Sequence, residues 1–207
     1  LSMEGLDGSG KTTQMGILSE RLRQYGFDIV QTREPGGCRI SEDIRNLVLT
    51  TDNMEMSAAC EALLYAASRA QHVHEVIRPA VAAGKLVLCD RFVDSSIAYQ
   101  GGGRELGVDA VGQINAFAIR EMIPDATIYL QMKDSAEALK RRRDATKPDR
   151  LESQPPAFYE RTRMAYEQLI EKDRNRFLIV DAAKSVDELA DEILSVVLAR
   201  LKDAEGI

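Results

Sequence analysis

Short apolar runs alternate with longer amphipathic stretches along the chain, and this alternation predicts the order of its elements. The apolar runs are typical of strands, and they lie at 1–3, 27–32, 86–89, 126–130 and 177–180. Helical spacing of hydrophobic residues predicts helices at 11–25, 41–50, 57–83, 108–122 and 157–173, with others from about residue 135 and from Ser185. Strands separated by helices need crossover connections, so we expect a five-stranded, mostly parallel sheet in a single α/β domain spanning 1–207.

Two of these helices carry further signals. Pro79 is expected to kink or interrupt the 57–83 helix near its end, because its ring removes a backbone donor. Ser185 and Glu188 form a capping box that starts the final helix. The expected buried stripe of the 57–83 helix comprises Ala59, Leu63, Ala66, Ala70, Val73 and Ile77. The expected inner face of the final helix comprises Leu189, Ile193, Val197 and Leu201.

A glycine-rich segment follows the first predicted strand and leads into the first predicted helix. It fits the phosphate-binding P-loop pattern G-x-x-x-x-G-K-[ST]. Its glycines let successive N–H groups turn toward phosphate oxygens, Lys11 brings positive charge to the β and γ phosphates, and Thr12 supplies a hydroxyl for Mg²⁺. The sequence therefore predicts a P-loop NTPase fold that binds ATP and Mg²⁺ through Gly5, Gly8, Ser9, Gly10, Lys11, Thr12 and Thr13.

Asp90 and Arg91 directly follow the apolar run at 86–89. Ligands bind at the carboxyl ends of parallel strands, where P-loop proteins commonly hold Mg²⁺ through a carboxylate. We therefore expect Asp90 to join Thr12 at the metal and Arg91 to grip a second phosphate, with a surface ion pair as the alternative.

Composition narrows the class of protein. The 207 residues carry a net charge of −6, which argues against a surface that coats nucleic acid. Three scattered cysteines, Cys38, Cys60 and Cys89, suit a reducing cytoplasm and are expected to be small buried hydrophobes. No long apolar run suggests a membrane span, so we expect a cytoplasmic protein without membrane or nucleic-acid partners.

Three other patterns have two interpretations each. The basic run at 140–143, continuing to Asp149 and Arg150, is either a solvated helix face or, in a P-loop kinase, a lid at about 141–156 that closes over the migrating phosphoryl group. Tyr65 and Arg69 share a helix face; core packing plus a surface arginine is favoured over a base-binding platform. His72 and His74 face different sides, which argues against a shared metal site.

Taken together, several blocks resemble the thymidylate kinase family over nearly the whole chain. These blocks are 4–14, Thr32–Gly37, Asp90–Phe92, Ser95–Gly101 and Asp149–Glu152. P-loops are widespread, but the Arg-Glu-Pro-Gly-Gly and Asp-Arg-Phe blocks together are highly specific. The chain departs from the family pattern at Cys38, where Thr is common, and at Ser68, where Asp is frequent; neither change removes a reacting group.

The resemblance implies transfer of a phosphoryl group from ATP to dTMP on a nucleoside-monophosphate-kinase-like fold. It also implies a homodimer, which we expect to form through the 57–83 helix and its neighbour. In the bacterial subgroup, which this chain resembles, the catalytic arginines come from the lid. The resemblance assigns the acceptor phosphate to Arg45 and Arg91, and the base to Tyr65, Arg69, Ser96 and Gln100. It assigns the sugar to Asp7 and Tyr99, the shape of the pocket to Glu34 and Pro35, and lid catalysis to Arg142, Arg143 and Arg150, with Asp7, Lys11 and Arg91 also catalytic.

Two other functions remain open from the sequence. One is a different P-loop nucleotide or nucleoside kinase, against which Arg91 and the Tyr65/Arg69 pair argue. The other is a nucleotide-dependent switch ATPase, which would need a partner-responsive switch segment that the chain does not obviously contain.

Overall fold

The fold is seen in a computed structural model, which describes residues 1–132 and 149–205. Its sheet contains five parallel strands in the order β2-β3-β1-β4-β5, so β1 lies in the middle. The strands are β1 Ser2–Glu4, β2 Ile29–Arg33, β3 Leu86–Asp90, β4 Thr127–Gln131 and β5 Phe177–Asp181. The predicted parallel α/β architecture is confirmed, and the strand ends fall within two residues of the predicted ones.

Helices connect the strands on both sides of the sheet. In chain order they are α1 Lys11–Gln24, α2 Arg39–Leu49, α3 Ala58–His72, α4 Arg78–Ala82, α5 Val93–Ser96, α6 Val108–Ile119, α7 Pro156–Lys172 and α8 Val186–Glu205. A 3₁₀ turn spans Thr51–Asn53, and π-helical turns span Val73–Ile77 and Ile97–Gly103. The helix predicted from residue 135 lies outside the described residues.

One side of the sheet is covered by α1 and α8, which pack against each other. Leu18 and Leu22 of α1 meet Ile193 and Val197 of α8 in a buried apolar cluster over β1 and β4. The predicted capping box forms, because the Ser185 backbone N–H donates to Glu188 Oε2 at 3.1 Å and the Glu188 backbone N–H donates to Ser185 Oγ. This layer fixes the position of the first strand and helix, and so of the loop between them.

The other side carries α3, α6 and α7, and here the predicted apolar stripe of α3 is wrong in part. Ala59 and Leu63 are exposed, with Leu63 57% accessible, although Ala66, Val73 and Ile77 are buried. The buried face instead carries polar side chains that hydrogen-bond to neighbouring elements, a pattern that hydrophobic spacing does not reveal. It comprises Glu61, Ala62, Tyr65, Ala66, Ser68, Arg69 and His72.

The predicted 57–83 helix is interrupted just before Pro79, as its sequence predicts. The backbone widens into the π-helical turn Val73–Ile77, and the helix resumes at Arg78 with Pro79 in the first turn of α4. Proline is tolerated there because the wider turn already breaks the regular ladder of backbone hydrogen bonds.

The cysteines differ from the expectation that all three are buried. Cys89 is buried, Cys38 is half-buried and Cys60 is exposed.

Close packing between α7 and the turn at Ile97–Gly103 depends on glycine. A Cβ added at Gly103 would lie 2.6 Å from both Phe158 Cε2 and Thr162 Oγ1, well inside contact distance. We expect Gly103→Ala to lower the free energy of unfolding by about 1–3 kcal/mol through overpacking. Urea denaturation measures this change.

Gly112→Ala is the matched control. Gly112 lies in α6 and an added Cβ would meet no atom within 4 Å, so alanine there should raise stability by roughly 0.5–1 kcal/mol through helix propensity. Equal effects of the two substitutions would contradict the close approach of α7.

Candidate active site

The P-loop wraps around the start of α1 and leaves that end of the helix open for an anion. Gly10 precedes α1 with φ 91°, no side chain caps the helix, and its first turn contains no acidic residue. The unpaired N–H groups and the helix dipole therefore favour a negatively charged group at this position. Gly5 is required for a separate reason, because a Cβ there would lie 2.7 Å from the backbone oxygen of Leu130.

Lys11 lies inside this loop and is almost fully buried. Its Nζ donates to the backbone oxygens of Gly5 and Leu6 at 3.0 and 2.7 Å. Burial, together with the positive charge of Arg91, lowers the pKa of Lys11 to about 8. A bound polyphosphate would favour the charged form and offer stronger acceptors than the two carbonyls.

Thr12 and Asp90 meet beside the loop, as the sequence predicts. Thr12 Oγ1 donates to Asp90 Oδ2 at 2.9 Å, at the carboxyl end of β3. One carboxylate and one hydroxyl suit Mg²⁺, which usually takes one or two protein oxygens and completes its shell with water and phosphate. Among the described residues no group of three or more His, Cys, Asp or Glu side chains could hold a metal alone.

Two adjoining cavities open at this edge of the sheet. The phosphate cavity, about 350 Å³, is lined by Asp90 and by six residues of the P-loop and the start of α1: Asp7, Gly8, Gly10, Lys11, Thr12 and Thr13. The acceptor cavity, about 110 Å³, is lined by every residue that the resemblance assigns to the substrate: Asp7, Glu34, Pro35, Arg45, Tyr65, Arg69, Arg91, Ser96, Tyr99 and Gln100. The two cavities meet at the five residues that line both, Asp7, Glu34, Arg45, Arg91 and Glu152.

Arg91 spans the boundary between the cavities. Its backbone lies in the left-handed region at φ 67°, which turns the side chain back toward the P-loop. Nη1 donates to Gly5 O at 3.0 Å and to Ser95 Oγ at 3.1 Å; Nη2 donates to Asp7 and, at 3.2 Å, to Tyr99. All four terminal N–H groups thus have protein acceptors, and contact with a phosphate would replace some of them.

Asp7 accepts hydrogen bonds from both Arg91 and the Tyr99 hydroxyl, the latter at 3.0 Å. Burial alone would raise the pKa of Asp7, but the charges of Arg91 and Lys11 outweigh that effect and lower it. Asp7 is therefore ionised near neutral pH, and its position relative to the Tyr99 ring is fixed.

Arg69 lies at the far wall of the acceptor cavity and is 1% exposed. Nε donates to Glu34 Oε2 at 2.6 Å, Nη1 donates to Ser96 and Asn115, and one Nη2 hydrogen goes to Phe92 O at 3.0 Å. The second Nη2 hydrogen has no acceptor among the described residues. The surface position favoured for Arg69 from helix spacing alone is therefore wrong, because its helix face is turned into the cavity.

Glu34 joins Arg69 to a second buried side chain. His72 Nδ1 lies 2.8 Å from Glu34 Oε1, and its Nε2 lies 2.7 Å from Thr32 Oγ1. The peptide bond between Glu34 and Pro35 is cis, and Arg45 Nη1 donates to Pro35 O at 2.9 Å. The buried His72 thus supports the cavity wall, whereas His74 is exposed on the other side of the helix.

The lid candidates have different outcomes. Arg142 and Arg143 lie outside the described residues. Arg150 is 2% exposed, lines neither cavity, and donates to Val48 O at 2.8 Å and to Glu61 Oε2 at 2.6 Å. Arg150 therefore lies outside both cavities, and its charge is paired with a buried carboxylate on α3. Its neighbours Asp149, Leu151 and Glu152 line the acceptor cavity, and Glu152 also lines the phosphate cavity.

Sequence reasoning also missed Glu4, the residue before the P-loop. Its carboxyl group is fully buried and accepts hydrogen bonds from Phe92 N–H, Ser95 and Tyr166. Burial, with the negative charge of Asp94, raises the pKa of Glu4 to about 7. Its position in an apolar strand was the available signal, since a carboxyl group there needs buried donors.

Comparisons with known proteins identify the family of this chain. The family model described as Thymidylate kinase matches residues 3–193. The thymidylate kinase of Exiguobacterium sibiricum is 47% identical over 207 residues, covering 100% of this chain and 97% of that protein. That of Halothermothrix orenii is 49% identical over 196 residues, with 93% of each covered.

A solved structure gives the same result for the fold. The crystal structure of thymidylate kinase from Ehrlichia chaffeensis matches with a TM-score of 0.77 and 31% identity, covering 95% of this chain and 96% of the other. The match extends over nearly the whole of both chains, so the two proteins share the fold as a whole. The chain therefore belongs to the thymidylate kinase family, the enzymes that phosphorylate dTMP with ATP.

Proposed function

We propose that the phosphate cavity holds the phosphates of ATP, that the acceptor cavity holds dTMP, and that the phosphoryl group passes between them beside Arg91. One observation carries the assignment: all the substrate residues implied by the resemblance line a single cavity, which adjoins the P-loop cavity at Asp7 and Arg91. The two reacting phosphates would then meet over a cation.

On the donor side, the open start of α1 and the P-loop amides would hold the β and γ phosphates. Lys11 Nζ would leave the carbonyls of Gly5 and Leu6 for phosphate oxygens. The fixed N–H groups and the ammonium charge stabilise the developing negative charge without rearrangement during the reaction.

Mg²⁺ would lie between Thr12 and Asp90, whose oxygens fit its preference for hard ligands. When bound, it would neutralise charge on the donor phosphates. The role of Asp90 is to place one carboxylate beside the P-loop, and the role of Thr12 is to offer its hydroxyl oxygen to the same position.

On the acceptor side, the polar groups are complementary to thymine. Arg69 has one Nη2 hydrogen left to donate to O4 of thymine. Gln100 lines the cavity, and its Oε1, which has no partner among the described residues, would accept from N3–H of thymine. Tyr65 supplies a ring surface, and burial raises its pKa, so it stays neutral. The Tyr99 ring would crowd a ribose 2′-hydroxyl, and Asp7 would accept from the 3′-hydroxyl.

In the proposed step, an oxygen of the dTMP phosphate attacks the γ-phosphorus in line as the bond to the β–γ bridging oxygen breaks. ADP leaves and dTDP forms. No general base is needed, because the acceptor phosphate is already largely ionised near neutral pH. Arg91 and Arg45, both at the junction of the cavities, would offset the repulsion between the two anions.

Cations over the migrating group would complete the site. We keep Arg142 and Arg143, in the basic segment of a lid at about 141–156, as the proposed source. Arg150 is left out of this role because its charge is paired with Glu61.

The three cysteines form no disulfide and Cys60 is exposed, which supports a reducing, cytoplasmic setting. Among the described helices, none has the length and apolar character needed to cross a membrane.

A homodimer is proposed from the exposed apolar residues of two adjacent helices. Leu63 on α3 is 57% exposed and Phe117 on α6 is 85% exposed, with Ala59 and Ala67 also accessible. Since α3 and α6 pack side by side, a second copy of the chain would cover both faces together.

Acceptor specificity tests the proposed function. In an ADP-release assay with ATP and Mg²⁺, we expect dTMP to be preferred strongly over UMP, dCMP, AMP and thymidine. Lys11→Ala should lower kcat by about 10²- to 10³-fold, since it removes one preorganised cation. Lys85→Ala, on the surface, is the control. Preference for another acceptor would contradict the base pocket, and turnover indifferent to any acceptor would favour a switch ATPase.

The metal site has its own test. Loss of a residue that only orients a metal ligand lowers metal affinity by roughly 10- to 100-fold, and loss of a direct ligand should cost at least as much. Asp90→Asn should therefore raise the Mg²⁺ concentration for half-maximal rate about tenfold or more. Asp191→Asn, an exposed carboxylate paired with Arg21, should leave it unchanged. An unchanged Mg²⁺ requirement in Asp90→Asn would remove Asp90 from the metal site.

The oligomeric state is tested by sedimentation velocity. Phe117→Asp would place a charge in the proposed interface, so we expect the dimer to dissociate. Tyr25→Asp is the control, because Tyr25 is also 61% exposed but lies at the end of α1 on the other side of the sheet. A wild-type monomer, or an intact dimer in Phe117→Asp, would contradict this interface.

A further inference from the structure

A buried carboxylate on α3, that of Glu61, contacts Gln100 in the wall of the acceptor cavity without lining the cavity itself. Glu61 is fully buried, and four N–H groups converge on it. Its Oε1 accepts from Gln100 Nε2 at 2.9 Å and Arg104 Nε at 3.2 Å; its Oε2 accepts from Arg104 Nη2 at 2.9 Å and Arg150 Nη2 at 2.6 Å. Both oxygens are therefore used as acceptors.

Glu61 is ionised in this cluster. Burial by itself would raise the pKa of Glu61, but the hydrogen bonds from Arg104 and Gln100 and the charges of Arg104 and Arg150 outweigh it and lower the pKa. Two arginines around one carboxylate also make a neutral Glu61 unfavourable, because their charges would be left without a buried partner.

An ionised carboxylate can only accept hydrogen bonds, and this fixes the amide of Gln100. A glutamine amide has one donor branch and one acceptor branch of nearly equal shape, and either can face a neutral partner. Against Glu61 only the NH₂ group fits, so Oε1 must take the other side. Gln100 lines the acceptor cavity, is 1% exposed, and its Oε1 has no partner among the described residues.

The fixed amide matters because thymine and cytosine present opposite groups on the same edge. Thymine has a donor at N3 and an acceptor at O4, whereas cytosine has an acceptor at N3 and a donor at N4. A wall that offers an N–H from Arg69 and a carbonyl oxygen from Gln100 matches thymine. If the amide could turn over, its NH₂ group would meet cytosine N3 instead.

We propose that Glu61 is a positioning residue for base selection: its carboxylate holds the Gln100 amide with the carbonyl available to the base, and the enzyme thereby rejects dCMP. This rests on the proposed placement of thymine beside Arg69 and Gln100. Glu61 itself would touch neither substrate nor the migrating phosphoryl group. It acts on selectivity because rejection requires that the wrong orientation of the amide be unavailable.

Glu61→Gln tests the proposal, because a neutral amide at residue 61 can face either branch of Gln100. We measure kcat and KM for dTMP and dCMP, or the inhibition constant of dCMP against dTMP where its turnover is too slow. The preference for dTMP over dCMP should fall about tenfold, the value of about one hydrogen bond between neutral partners. The change should appear mainly in KM, since the P-loop and Arg91 are untouched.

Arg104→Gln is the matched control. It disturbs the same buried cluster and leaves the carboxylate facing Gln100, and Arg104 lines neither cavity. We expect its dTMP preference to equal that of the wild type, whatever its stability. A parallel loss for both nucleotides in Glu61→Gln, with an unchanged ratio, would show that Glu61 supports only the fold and would overturn the proposal.

Loss of one negative charge beside two arginines could prevent folding of Glu61→Gln. The double variant E61Q/R104Q removes one charge of each sign, and its comparison with R104Q alone asks the same question. A lower dTMP preference in the double variant supports the proposal, and an equal preference overturns it. Thermal unfolding and circular dichroism identify folded variants.

Gln100→Met separates this inference from the proposed function. Methionine keeps the length of the side chain and removes both amide branches, so kcat/KM for dTMP should fall, and adding Glu61→Gln should change the dTMP/dCMP ratio no further. Unchanged kcat/KM for dTMP in Gln100→Met would contradict the placement of thymine. A fall in Gln100→Met with no change of ratio in Glu61→Gln would contradict the role of Glu61 alone.

Discussion

Ion pairs that are buried or partly buried hold together the acceptor cavity and the side chains behind its wall. Arg69 pairs with Glu34, Arg91 with Asp7 and Arg150 with Glu61, and each pair joins segments far apart in sequence. A buried charge is costly without its partner, so removal of either side chain would leave an uncompensated charge rather than a simple gap. The walls of the cavity are therefore specified together, and they fix donors and acceptors before any nucleotide binds.

The two cavities are built on different physical principles. The phosphate cavity depends on backbone: the N–H groups at the open start of α1 and the curved P-loop, where Gly5 and Gly10 permit the chain path. The acceptor cavity depends on side chains, in which nearly every polar group has a partner. The phosphate cavity suits the triphosphate of ATP, which carries no information about the acceptor. The acceptor cavity can distinguish one base from another, because a mismatched base would leave buried polar atoms unpaired.

Local patterns predicted what local physics determines. The P-loop, the alternation of strands and helices along the chain and the capping box at Ser185 follow from adjacent residues, and the structure confirms them. The inner face of α3 did not follow, because Glu61, Arg69 and His72 are buried by partners on other elements and hydrophobic spacing ignores polar burial. From the residues alone Arg69 was expected at the surface, and only the family resemblance assigned it to a pocket, whereas the structure buries it in the wall of the acceptor cavity.

The sequence by itself determined the parallel α/β fold, the nucleotide-binding loop and, through its motifs, the family. Tertiary structure alone decided which charges neutralise one another. Arg150 belongs to a motif that suggested catalysis, yet it points to Glu61; Gln100 was assigned to the base, yet the orientation of its amide depends on a carboxylate on another helix. Spacing along the chain fixes which residues share an element, but pairing of buried charges depends on which elements pack together, and that is settled only in three dimensions.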